Sequence, residues 1–390
     1  MPRWLAALFF LSTALVVWGG LNLYVYFRVA NGFDLGSKAR LALKIGFVVL
    51  ALAYLAGRLL ESFVGDKIAA PLLWSGAVWM GVFSITLSML VIFDVWVTLP
   101  VWVLKRSAVL TPAHGTAIAR WGLAAVLALS AGLSAWGART ALAGPKLTDL
   151  KLPVAGLPAS LEGFTIIAAS DIHIGDVVTH GYLDRMVHQI DDLHPDLVVL
   201  VGDLSDERNG GDGTAFRRMA GIRARHGVIG VTGNHEYYSG AEKQVGAIEA
   251  AGIPVLRQSH RVVADALVVA GIDDPAFLGG RAQAAASMDE ALKGRPQGLP
   301  VVLLAHQPIA VHHAAELGVS LMLCGHTHGG QLPPFQLLSG LAYPFLKGLY
   351  EVGAMRVYVS NGAGFWGPPI RVFADPEIVR VTLTAAAPPR

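Results

Sequence analysis

The sequence predicts an α-helical membrane region followed by an α/β domain. Three observations carry this. Long uncharged apolar runs crowd the first third of the chain. Glycine and proline punctuate the stretch after Arg139. Beyond residue 164, short apolar strands alternate with amphipathic helical segments, the pattern of an α/β sheet. Composition agrees: of 390 residues, 54% are apolar and only 15% charged. The mean hydropathy of +0.52 is too high for an ordinary soluble protein. A formal net charge of +2 gives no reason to expect a nucleic-acid partner. A single cysteine, Cys324, excludes a disulfide framework or a cysteine-built metal site within the chain. Beside Gly325, it is expected as a small buried strand residue.

Residues 4–27 form an uncharged run long enough to cross a bilayer, which needs about 20 residues. Residues 41–60 form a second, with Lys44 and Arg58 near its ends, where long side chains reach the headgroups. Residues 68–93 form a third, continued by 95–104 beyond Asp94. Residues 121–138 are a shorter fourth, rich in Ala and Gly. The first run is too long, with too much similar chain behind it, to be a cleaved signal peptide. The chain thus divides into a four-helix transmembrane region over 1–140, a linker over 141–160 and a second domain over 161–385. Asp94 reads either as a functional group within the membrane or as a helix end at its surface. Arg28, Lys38 and Arg40 lie in the first loop, and Lys105, Arg106 and Arg120 in the third. Weighting short loops most puts both inside, with the termini and the second domain outside the cytoplasm.

In the second domain, residues 164–170 read as a strand, 182–193 as a helix, and 196–201 and 228–232 as strands. A helix over 242–251 and a hairpin over 262–271 follow. The last strands are 299–305, 319–324, 356–360 and 378–383. Five of these strands end in polar clusters: Asp171-Ile172-His173, Gly202-Asp203, Gly233-Asn234-His235-Glu236, His306, and Gly325-His326-Thr327-His328. Ligands bind α/β sheets at the carboxyl ends of strands, so all five clusters can meet at one site. Carboxylates, imidazoles and an amide oxygen without a thiolate suit Mn, Fe or Zn. The donors are too many for one tetrahedral ion and about enough for two. A carboxylate bridging ions ~3.5–4 Å apart characterises two-metal hydrolases, where the pair polarises a phosphoryl oxygen and lowers the pKa of a bridging water. Gly175, Gly202, Gly233, Gly325, Gly329 and Gly330 allow tight turns and close backbone approach there.

These motifs, in this order, resemble the calcineurin-like metallophosphoesterase superfamily over about residues 157–383. Residues 233–240, 325–331 and 369–379 are most similar to its bacterial membrane-associated branch, which includes transmembrane metallophosphoesterases and UDP-2,3-diacylglucosamine pyrophosphatases. The resemblance implies a four-layer α/β/β/α sandwich. It implies that Asp171, His173 and His328 hold one divalent metal ion, that Asp203 bridges, and that Asn234, His306 and His326 hold a second. His235 matches the family's catalytic histidine, which is not a ligand and donates to the phosphoryl oxygen or the leaving group. The implied activity is hydrolysis of a phosphodiester or pyrophosphate in a bacterial inner membrane.

Protein Ser/Thr phosphatases of this superfamily carry an arginine soon after the second motif and another just before the third. Here Asp206 is followed by Glu207, with Arg208 one position late, and Thr232 stands in the second place. Without that phosphate clamp a phosphoprotein substrate is disfavoured. The linkage to membrane spans points instead to a lipid-linked ester such as UDP-2,3-diacylglucosamine. That substrate, made in the cytoplasm, requires the opposite orientation to the one the loop charges favour. Phe335, Leu337, Leu338, Leu341, Phe345, Leu346, Phe365 and Trp366 read equally as an acyl-binding wall or as core. His180, His188, His194, His226, His260, His312 and His313 are expected as surface or packing residues. The competing class is a non-catalytic binding or scaffolding module on the same fold, and a phosphomonoesterase is a lesser alternative. Degenerate members of the first kind would lose ligands or the catalytic histidine, and this chain keeps the whole set.

Overall fold

The computed structural model describes residues 3–107, 109, 111–154, 156–175, 177–207 and 211–386. Arg208 lies outside the described residues. The chain divides into two units, Met1–Gly137 and Ala138–Arg390.

Five helices make up the N-terminal part: α1 (Arg3–Gly32), α2 (Ser37–Val64), α3 (Asp66–Phe93), α4 (Leu99–Arg106) and α5 (Pro112–Leu142). Among the described residues, four stretches are long and apolar enough to cross a membrane: Ser12–Gly32, Ser37–Glu61, Lys67–Arg106 and Pro112–Leu142. A small interior of Val25, Phe83, Leu90, Phe93, Leu123 and Val126 holds them together. Val16, Phe27, Val49, Trp96 and Trp121 meanwhile face outward. Helices apolar on their outer faces suit a lipid solvent. Asp94 does not end a helix, as one reading of the sequence had it, because a π-helical turn over Asp94–Thr98 carries α3 into α4. Its carboxylate pairs with the Arg28 guanidinium and accepts from Tyr24 Oη (2.5 Å) and Thr98 Oγ1 (2.8 Å). Pairing offsets the cost of a charge inside an apolar run.

Among the described residues, the second unit holds eleven strands: β1 (Lys146–Val154), β2 (Thr165–Ala169), β3 (Leu197–Val201), β4 (Val228–Val231), β5 (Ser259–Val263), β6 (Leu267–Gly271), β7 (Val301–Leu304), β8 (Leu321–Cys324), β9 (Gly348–Val352), β10 (Met355–Val359) and β11 (Glu377–Ala385). Its helices are α6 (His180–Asp192), α7 (Thr214–Ala220), α8 (Asn234–Tyr238), α9 (Ala241–Ala250), α10 (Pro275–Leu278), α11 (Arg281–Leu292), α12 (Val311–Glu316) and α13 (Phe335–Ala342). One sheet runs β1-β11-β2-β3-β4 and the other β5-β6-β7-β8-β10-β9. Strands β2, β3 and β4 are parallel in the first, and β6, β7, β8 and β10 in the second.

Strand periodicity sorts the side chains into layers. In β3, Leu197, Val199 and Val201 point to the core between the sheets, where they join Val269, Val302, Leu304 and Leu323. Val198 and Leu200 point the other way, against Met186, Ile190, Phe216 and Ile248 of α6, α7 and α9. On the far side Val268, Leu303 and Met322 pack on Met288, Leu292, Val311 and Ala314 of α11 and α12. The unit is therefore the expected four-layer sandwich. Burial on both faces explains why its strands read as continuous apolar runs. The structure departs from the reading of residues 141–160 as a linker. Lys146–Val154 is a nine-residue strand paired in parallel with β11. It is the sheet's edge, where Lys, Asp and Pro are tolerated, so its sequence lacks the apolar run of an inner strand.

Candidate metal centre

The candidate residues lie just beyond the ends of β2, β3, β4, β7 and β8. Asp171, Asp203, His306 and His326 each stand two positions past a strand, and Asn234 opens α8. Backbone hydrogen bonds stitch these turns together: Asp171 N–H to Gly202 O (3.0 Å), His173 N–H to Asp203 O (3.1 Å) and Gly325 N–H to His306 O (2.9 Å). Asp171, His173, Asp203, His326 and His328 all have positive φ, between 50° and 70°. Such a backbone is unfavourable for non-glycine residues, and its concentration in one place marks a functional site. The glycines make room for the carboxylates. A Cβ on Gly233 would collide with the carboxylate of Asp203, and one on Gly325 with that of Asp171.

Three groups of donor atoms converge within 4.8 Å of one another: Asp171, His173 and His328; His173, Asp203 and His235; and Asp203, His306 and His326. Asn234 joins the third, its Oδ1 2.9 Å from His326 Nδ1. The structure thus brings all eight candidates together. His180, His188, His194, His226, His260, His312 and His313 belong to no such group among the described residues.

Hydrogen-bond partners indicate which ring nitrogens face the centre. His306 Nδ1 donates to Val201 O (2.8 Å), so Nε2 turns inward. There it lies 3.1 Å from Asp203 Oδ2, fully buried and without a hydrogen-bond partner among the described residues. An imidazole nitrogen held this way beside a carboxylate fits a cation between them. His173 Nε2 and His328 Nε2 meet at 3.1 Å, with Asp171 Oδ1 3.4 Å from the latter.

The electrostatics agree. Burial alone would lower His306, but Asp203, Asp171 and Asp274 outweigh it and raise it well above its ordinary value. Burial likewise opposes charge on His173, yet Asp206, Asp203 and Asp171 push it up to about 9. Asp203 is held far below the carboxylate range, because His306, His173 and His235 overcome its burial. Asp171 rises through burial and through repulsion from Asp203. His326 falls to about 3, first through burial and then through the charge of His306. The carboxylates demand positive charge, and the neutral imidazole of His326 has a lone pair to share with it.

Four supporting residues were not assigned roles in the sequence. Asp206 Oδ1 accepts from His235 Nδ1 (2.6 Å) and His173 Nδ1 (3.1 Å), and so aims both rings. The spacing Gly202-Asp203-x-x-Asp206 was the available signal. Glu236 accepts from the backbone N–H groups of Asp203, Leu204 and Gly233 (3.0, 2.8 and 2.6 Å), locking two turns together. Tyr343 lies 2.8 Å from His326 Nε2. Arg371 is fully buried and donates to Gly364 O (2.9 Å), Ala374 O (3.0 Å) and His328 Nδ1 (3.0 Å). Burial lowers its pKa to about 10.

Other expectations resolve locally. Cys324 is buried in β8, and burial pushes its thiol up. Thr232, where phosphatases have arginine, donates to Asp273 (2.8 Å). The apolar set divides by burial. Phe365 is core and Phe345 and Leu346 are half-buried, whereas Phe335, Leu337, Leu338, Leu341 and Trp366 are exposed.

A model of the calcineurin-like phosphoesterase family matches residues 164–330. The chain is 37% identical over 271 residues to the transmembrane protein with metallophosphoesterase domain of Danio rerio, covering 67% of this chain and 62% of that one. It is 34% identical over 244 residues to an uncharacterized metallophosphoesterase of Helicobacter pylori, covering 62% and 65%. It thus spans somewhat under two thirds of the length of both. Against an uncharacterized metallophosphoesterase of Aquifex aeolicus it is 32% identical over 232 residues, covering 58% of this chain and 87% of that one. With these relatives and the convergent Asp and His clusters at its strand ends, the chain belongs to the calcineurin-like phosphoesterase family.

Proposed function

We propose that this protein is an integral-membrane hydrolase of phosphodiester or pyrophosphate bonds that works with two divalent metal ions. The observation that carries the reading is the pair of donor groups flanking Asp203, with the unpartnered His306 Nε2 turned into one of them. Asp171, His173 and His328 would hold one ion, Asn234, His306 and His326 the other, and Asp203 both. Mn, Fe and Zn suit these donors. Ions there would polarise the phosphoryl group and supply a nucleophile at neutral pH.

The chain's own residues do the rest. His235 Nδ1 is bonded to the Asp206 carboxylate, so Nε2 is the nitrogen free to give a proton to the leaving oxygen. The buried turns keep the donors fixed. A non-catalytic module would have no need of this acid and its carboxylate anchor, so hydrolysis is the better reading. The apolar helices favour a substrate carried in a membrane, and UDP-2,3-diacylglucosamine is one such candidate.

Metal analysis of the purified full chain, with hydrolysis of bis(p-nitrophenyl) phosphate, tests this. Two ions per chain and a loss of about 10²–10⁴-fold in kcat for His235→Ala, metals retained, are expected. Bound metal with no turnover of any ester, or a His235→Ala protein as active as the parent, would overturn it. A reporter fused at the C-terminus tests the orientation inferred from loop charges. Activity outside the cytoplasm supports it, and activity inside reverses it and favours the UDP-linked substrate.

A further inference from the structure

Helix α13 (Phe335–Ala342) is built the wrong way round for a soluble domain. No residue in it is buried. Phe335, Leu337, Leu338 and Leu341 are 49%, 68%, 51% and 79% exposed. Its polar Gln336 turns inward and donates to Val372 O (2.6 Å). Trp366, 55% exposed, lies beside the centre, its ring 5.8 Å from that of His235. Contiguous exposed apolar side chains of this size mark a contact surface.

Chain continuity identifies what covers it. The segment that anchors Gln336 continues from Val372 to Pro376, and this same segment holds the start of β1. Lys146 N–H donates to Pro376 O (2.8 Å), and Lys146 Nζ pairs with Asp375 (2.5 Å). Lys146 lies four residues after the end of α5, a helix long and apolar enough to cross a membrane. The point where the domain is tied to a membrane helix and the foot of α13 therefore share one short stretch of backbone. Lys347, exposed near the same stretch, adds a cation close to the apolar face, and Trp366 adds an amphipathic ring. That is the composition of an element resting at a headgroup boundary.

We infer that α13 is an interfacial helix whose exposed leucines lie in the bilayer that the N-terminal helices enter. Tyr343 follows the helix directly and contacts His326, so the metal centre opens beside the lipid surface. An amphiphilic phosphoester then reaches the centre without leaving the membrane. That consequence rests on the function proposed above, whereas the docking of α13 does not.

The test uses the full chain in vesicles of phosphatidylethanolamine and phosphatidylglycerol. Native Cys324 is buried, so single cysteines at Leu341→Cys, and at the exposed position Glu249→Cys of α9 as control, take a fluorescent label selectively. The Leu341 label is expected to be quenched by nitroxides on the lipid acyl chains. Aqueous iodide should reach it about fivefold less well than the Glu249 label. Equal access of iodide to both, or shielding without quenching by the lipid nitroxide (a protein surface covering the helix), would overturn the inference. Leu337→Ser with Leu341→Ser should also cut turnover of a vesicle-embedded acyl p-nitrophenyl phosphodiester by about tenfold, leaving soluble bis(p-nitrophenyl) phosphate within about twofold. Equal losses on both substrates count against it. A parent inactive on both esters refutes the proposed activity, and the labelling still decides the docking.

Discussion

Asp206 serves two rings with one oxygen, which makes it the most informative side chain to change. Asp206→Asn keeps the shape but removes the charge and the simple acceptor geometry. Loss of the anchor on His235 should lower kcat by about 10–10³-fold. Loss of the anchor on His173 should weaken metal binding by about 10–100-fold. Both effects are expected together when kcat at saturating metal is compared with a metal titration, whereas His235→Ala should lower kcat alone. Arg371 poses a related test. It is a buried cation whose hydrogen bonds go to three carbonyls and an imidazole, and its fork geometry is not reproduced by lysine. Arg371→Met and Arg371→Lys should each lower stability by about 1–3 kcal/mol, read from denaturant midpoints, and weaken metal binding. A Lys variant with parental affinity would show that charge alone suffices. The eight candidate residues were readable because each lies beside another chemical residue or at a strand end. The roles of Asp206 and Arg371 were not, because the histidines they hold are 29 to 43 positions away in sequence. Nor could the sequence show that Asp171, His173, Asp203, His326 and His328 hold positive φ, since neither Asp nor His signals it as glycine would.

At the level of elements, strands buried on both faces announce themselves and partly exposed ones do not. β2, β3, β4, β7 and β8 are buried on both faces, and their apolar runs place the ends that carry the chemistry. β1 and β9 each lie at one end of a sheet, with alternating or mostly exposed patterns, and neither was anticipated. α11 was missed for another reason: its Ala-rich sequence lacks a clear apolar stripe, although Met288, Ala291 and Leu292 are buried. β1 nonetheless contributes to the core, since Leu152 and Val154 pack between the sheets. Leu152→Ala should therefore cost about 2–5 kcal/mol. Lys151→Ala, on the exposed side, should stay within about 0.5 kcal/mol. Denaturant unfolding of the two variants separates a true core strand from a linker, for which both changes would be neutral.

For the whole molecule, the question is how the centre couples to stability. All eight candidate residues lie in the second unit, whose three cores are separate from the small interior of the first. Asp171 and Asp203 are buried close to each other and repel, and positive charge beside them, here on His306 and His173, relieves that repulsion. An ion that binds the folded unit but not the unfolded chain stabilises it by about 2.7 kcal/mol at a hundred times its Kd. Two ions would then contribute about 5 kcal/mol. In a domain of this size each kcal/mol moves the unfolding temperature by about 2–4 °C. Chelation should thus lower the transition of the α/β unit by about 10–20 °C, and adding Mn or Zn should restore it. The transition of the apolar helices should not move, because none of the candidate ligands lies among them. Scanning calorimetry of the full chain in detergent, with and without chelator, reads both transitions. A shift in the helical transition alone, or none in either, would mean that the buried carboxylates are neutralised by the protons of His173 and His306 rather than by metal.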